Sequence, residues 1–184
     1  EYDPTNRFSK SVIDWNNLSI NPNAIELLKD NYDKINWDNL SRNKNAIEIL
    51  TNNQDKIHWR HLSSNENAIE LLKDNIDKIN WWQLSSNKNA IEILEQHQDK
   101  IQWEILSENS NVIKLLENNL DNLDNIYWEK LSRNPNAIEL LKDNQDKIDW
   151  DNLSSNPNAI ELLKDNIDKI NWIYLCKNQN PNAI

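Results

Sequence analysis

The chain of 184 residues has no glycine and no methionine, one cysteine, one phenylalanine and five prolines. Each scarcity excludes something. Without glycine there is no glycine-rich loop of the kind whose backbone cradles phosphates. Helices must also end without the residue that most readily adopts a left-handed C-cap, which leaves asparagine as the next choice. The lone Cys176 rules out an intrachain disulfide framework; it stands in a column otherwise filled by serine and is expected to act as a small replacement. No apolar run approaches the roughly 18 residues that read as a membrane span. Positive charge is in deficit, with 20 Lys and Arg against 30 Asp and Glu, a net charge of −10 and a pI near 4.8. That balance opposes a phosphate backbone, which needs clustered Lys and Arg. No nucleic-acid partner is expected, a base-per-repeat RNA reader included, and no membrane insertion.

What the chain has instead is asparagine, roughly one residue in five, and tryptophan at fixed intervals. Trp15, Trp37, Trp59, Trp81 and Trp103 are 22 residues apart; Trp128, Trp150 and Trp172 resume the spacing after one interval of 25. A constant period in this range is the mark of a stacked array. Other columns keep step. A leucine lies three residues after each of these tryptophans, from Leu18 to Leu175, and serine follows it except at Cys176.

Each unit divides into two similar halves, seen in Asn43-Lys44-Asn45-Ala46-Ile47 and Asn53-Gln54-Asp55-Lys56-Ile57. The opening Asn of each suits a helix N-cap. The next position tolerates proline, as at Pro22, Pro135 and Pro157, because a first-turn amide has no helical partner. The spacing predicts two short helices per unit, over about 32–41 and 44–52 in the second. An Asn such as Asn31 would close one helix and open the next. Ile35, Trp37, Leu40, Ala46, Ile47, Ile49 and Leu50 form the apolar set of that unit. Seven such residues on two helices of about nine are too few to stand alone. Units must therefore bury their apolar faces against neighbours, which predicts an all-α fold, an α-solenoid of about eight two-helix repeats of 22 residues. Mean hydropathy of −0.88 suits so thin an array.

Residues 1–11 fall outside the period; Tyr2, Pro4 and Phe8 suit an N-terminal cap or the remnant of a preceding domain. From 12 to 184 the expectation is a single array, continuing past 184. It is irregular at 119–126, where three extra residues are expected to lengthen a helix or bulge as a loop and to alter local curvature.

Several residue sets invite a chemical reading and have a structural one. His58 and His61, three apart, would supply two metal ligands, but no fixed third ligand accompanies them. The acidic column Asp33, Asp55, Asp77, Asp99, Asp146 and Asp168 could collect Ca²⁺, yet each is followed by lysine. Helix-start electrostatics accounts for it more simply. No nucleophile–base set has useful spacing. The expectation is no enzyme, no cofactor and no metal site. The tryptophans themselves suit the core. Variation concentrates in the two columns after each tryptophan, and Trp82, Ile105, Ile173 and Tyr174 are the apolar residues there that mark a candidate protein-contact surface.

The phrase N-P-N-A-I-E-L-L-K-D-N followed by D-K-I-x-W-x-x-L-S, fullest at 134–150 and 156–172, resembles the short asparagine-rich tandem repeats of giant DNA viruses of amoebae and other protists. The likeness runs from about residue 12 to the end. It implies a repeat protein without an assigned activity and no catalytic residues to carry over. Two roles are expected: a non-enzymatic scaffold binding other proteins through one face, or a structural element of a virus particle. Neighbouring viral structural proteins would be partners, and the virion or host cytoplasm the location.

Overall fold

A computed structural model describes residues 13–117 and 125–183. The chain is an all-α solenoid built from short helices that repeat with the sequence period and pack on their neighbours. Eight helices begin at the repeat tryptophans: Trp15–Ile20, Trp37–Leu40, Trp59–Ser63, Trp81–Ser86, Trp103–Leu106, Trp128–Arg133, Trp150–Ser154 and Trp172–Leu175. Between them run helices such as Ile25–Asp30, Ile47–Thr51 and Ile69–Lys73, and 3-10 turns such as Tyr32–Lys34 and Gln54–Lys56.

The first predicted helix of each unit is in fact two pieces. In the second unit a 3-10 turn, Tyr32–Lys34, is followed by extended Ile35 (φ −62°, ψ 126°) and Asn36 (φ −84°, ψ 103°), and only then by the α-helix Trp37–Leu40. The break buries Ile35 and lets the Asn36 side chain accept from the Asn39 amide. Asn36, not Asn31, is therefore the cap of this helix. Asp14, His58, Asn80, Asp149 and Asn171 do the same in their units. The second helix is also shorter than predicted, Ile47–Thr51, because Asn43 to Ala46 form a tight turn instead.

The expected left-handed C-cap is absent as well. Among the described residues no φ is positive. Asn31, Asn53, Asn75, Asn144 and Asn166 close their helices by donating a side-chain N–H to the carbonyl four residues back. That amide satisfies an orphan carbonyl without backbone strain. The 3-10 turn that follows receives no cap from the same side chain.

The core is a continuous file of leucine, isoleucine and alanine. Leu28, Leu40, Leu50, Leu62, Leu72, Leu84, Leu94 and Leu106 are wholly inaccessible to solvent, and the tryptophans from Trp15 to Trp150 pack against the file half-buried. Across each interface runs a set of side-chain hydrogen bonds. Asn43, Asn65, Asn87, Asn109, Asn134, Asn156 and Asn178 each donate Nδ2 to two backbone carbonyls of the preceding unit, at 2.8–3.4 Å. The Oδ1 of Asn43 meanwhile accepts from the amide of Asn45, two residues on. Asn45 in turn donates to the carbonyl of Pro22, and its counterparts repeat the contact up to Asn180.

Serine adds a further link. The Oγ of each serine that follows the repeat leucine, from Ser19 to Ser154, donates to its tryptophan carbonyl at 2.7–2.9 Å and accepts an amide of the following unit at 2.9–3.2 Å. Of the two side chains of this shape, a carboxamide can donate and accept at once, whereas a carboxylate is an acceptor alone. That is the physical reason the motif is N-x-N and not D-x-D. Among the described residues every buried side-chain nitrogen and oxygen has a partner.

The links also bridge the three-residue insertion. Tyr127 N–H reaches Ser107 Oγ at 3.2 Å, and Asn134 reaches the carbonyls of Ser107 and Asn109 at 3.4 and 3.0 Å. Most of the insertion, the curvature expected there, and the cap expected over residues 1–11 lie outside the described residues.

Candidate functional site

The site is built where units four, five and six depart from the repeat. Trp82, on the helix Trp81–Ser86, is half exposed in a column that elsewhere carries mostly polar side chains. Ile105, on the next tryptophan-led helix, is half-buried. Together with Trp103, Asn125 and Tyr127 they line one groove of about 420 Å³, with Glu104 in its wall. The sequence singles out Trp82 and Ile105, and the fold brings these two together.

Tyr127 and Asn125 complete the groove. Their columns are displaced by the insertion and recover their meaning only when counted back from Trp128. Tyr127 then occupies the capping position, and Asn125 the lysine position of the Asp-Lys column. In four of the regular units the lysine lies over the preceding tryptophan, while Lys34 and Lys100 pair with Asp33 and Asp99. Lys56 Nζ is 4.7 Å from the Trp37 ring centroid, Lys78 4.7 Å from Trp59, Lys147 5.3 Å from Trp128 and Lys169 4.4 Å from Trp150. These are attractive cation–π contacts. The shorter, uncharged Asn125 supplies no such cover to Trp103.

The capping position has changed too. Gln102 and Tyr127 make no side-chain cap bond, unlike their counterparts. Each missing cap forgoes about 0.5–2 kcal/mol. Tyr127 instead stands half exposed at the groove. Three neighbouring carboxylates give the site its charge. Lys130 Nζ lies 2.7 Å from Glu108, and this hydrogen bond, with smaller contributions from Glu129 and Glu104, holds its amine above the ordinary lysine range.

Ile173 and Tyr174 lie in the last described unit, away from this groove. Ile173 is 73% exposed beside Trp172, which is 62% exposed; Tyr174 is half-buried with Lys177 Nζ 4.8 Å above its ring. The two variable columns are also not uniformly free for contact. Asn39 donates to the carbonyl of Asn16, and His61 contacts that of Asp38, so parts of the second column bind neighbouring units. Ile105 has given up that link.

His58 and His61 stack with ring centroids 3.9 Å apart. Their nitrogens serve local contacts: His58 Nδ1 accepts the His61 amide, and His61 Nε2 meets Arg42. Among the described residues no three His, Cys, Asp or Glu side chains gather as a metal-binding group, and no helix is long and apolar enough to cross a membrane. The acidic column sits in the first turn of the 3-10 segments that end in lysine, from Tyr32–Lys34 to Ile167–Lys169, and the carboxylate of Asp33 is held below its usual range chiefly by its hydrogen bond with Lys34.

Comparison with protein families, with curated proteins and with solved structures gives no match.

Proposed function

We propose that the chain is a non-enzymatic helical-repeat scaffold that holds a partner polypeptide in the groove formed by Trp82, Trp103, Ile105 and Tyr127. One observation carries the reading. Five departures from the repeat, at positions 82, 102, 105, 125 and 127, converge on adjacent units, while the asparagine and serine links beneath them continue unchanged. Neutral drift spread over the array has no reason to gather there, and two of the changes relinquish a cap. Aromatic side chains are favoured anchors at protein interfaces. Glu104 in the wall and a net charge of −10 suit a segment that places Lys or Arg beside a large apolar residue.

Affinity capture with the immobilised chain tests this. The Trp82→Asp/Ile105→Asp double variant is expected to lose a protein that the wild type and Ile173→Asp both retain, with circular dichroism unchanged. Identical captured sets for all three chains would overturn it.

A second reading, a structural element of a virus particle, draws on the likeness to giant-virus repeats. Its support in the fold is the same set of links at successive interfaces, which suits a strut. Absence of the chain from purified particles by mass spectrometry would end it.

A further inference from the structure

Beside the groove, on units two to four, Arg42, Arg60, His61, Ser64 and Gln83 line a second cavity of about 490 Å³. It is unlike the rest of the surface. Positive charge elsewhere is nearly all lysine; two of the four arginines in the chain meet here. Arg60 is the one basic residue of its column, which otherwise holds Asn16, Asp38, Glu104, Glu129 and Asp151 with the apolar Trp82 and Ile173. Four of the lysines are tied by i,i+3 pairs to glutamate. Among the described residues neither arginine has an ion pair, although carboxylates outnumber cations by half in the chain.

Arg42 is also held in place. Its Nη2 lies 2.6 Å from His61 Nε2, and His61 Nδ1 lies 3.2 Å from the carbonyl oxygen of Asp38. Both contacts fit one neutral tautomer, with Nδ1–H donating to the carbonyl and Nε2 accepting from the guanidinium. Burial first, then the neighbouring His58 and Arg42, keep His61 below the ordinary histidine range, which favours that neutral state. Asp38, the carboxylate whose charge acts on His61, pairs with neither arginine.

We propose that this cavity is an oxyanion site, in which the Arg60 guanidinium and the remaining N–H groups of Arg42 grip a phosphate or carboxylate group, with the Gln83 amide as a further donor. Guanidinium forks match both groups bidentately where an ammonium does not. The Ser64 hydroxyl is occupied, donating to the His61 carbonyl at 2.9 Å, so it positions the wall and leaves recognition to the nitrogens.

Titration of the whole chain with sodium phosphate, and separately with sodium acetate, against chloride at fixed pH and ionic strength tests the site. NMR of the arginine Nε–H and histidine ring signals reports it. A saturable shift at Arg60 and His61, with His97 still, is expected. Arg60→Gln should weaken it about tenfold, the loss of one charged hydrogen bond, and Arg133→Gln should leave it unchanged. Saturation by phosphate alone assigns a tetrahedral group, by acetate alone a carboxylate, and by both a general oxyanion site. Shifts linear in anion with both salts, or equal in the wild type and Arg60→Gln, would overturn the proposal.

Discussion

The units on either side of Trp59 and those on either side of Trp103 share one framework and differ in what covers it. Around Trp59, His58 caps the helix, Lys78 lies over the indole, and His61 bonds back to the preceding unit. Around Trp103, Gln102 caps nothing, Asn125 stands where the lysine would be, and Ile105 has no such bond to make. Yet Ser85 and Ser107 still accept their amides, and Asn109 still reaches two carbonyls. The inter-unit links specify the fold. The covering side chains are a separate layer, free to change without unstacking the array.

The largest effects should therefore fall on the shared framework and be equal in the two regions. Asn65→Ala and Asn134→Ala each remove an amide that serves two buried carbonyls, and each should destabilise by about 3 kcal/mol in urea unfolding. A much smaller loss at Asn134 would show that the framework itself relaxes beside the insertion.

The capping position gives an intermediate effect of opposite sign in the two places. Tyr127→Asn should restore a cap and stabilise by about 1 kcal/mol, while Asn80→Tyr should cost about as much. Thermal unfolding of both variants checks this. No change in stability at either site would mean that the capping column carries no energy and that the departure at Tyr127 says nothing about function.

Smallest is the lysine position. Asn125→Lys should bring a cation over Trp103 and stabilise by about 0.5 kcal/mol, while filling the groove and reducing partner capture. Unaltered capture with a measurable gain in stability would separate the groove from the contact.

The period, a helix carrying the tryptophan and leucine of each unit, and the leucine file were legible because burial leaves a repeating apolar pattern. The break at Ile35 was not. An extended residue between a 3-10 turn and a helix presents the same apolar spacing as one continuous helix. Asparagine was recognisable as a capping residue, but its second role was hidden. The carbonyls that Asn43 reaches belong to Ser19 and Asn21, 24 and 22 residues back, and local pattern carries no sign of them. Half of the groove could be named from the columns, since Trp82 and Ile105 stand as apolar residues where most units carry polar ones. Tyr127 escaped because the contact surface was read from the columns after each tryptophan, whereas Tyr127 stands in the capping column before Trp128.

The amides of Asn65 and Asn87 address only the unit immediately before their own, and do so over the same chain separation each time. A gene that gains or loses one whole period thus leaves every surviving bond with a partner at the correct offset. Length in such a lineage can drift by recombination between copies, and the reach of the molecule becomes a heritable variable uncoupled from the ability to fold.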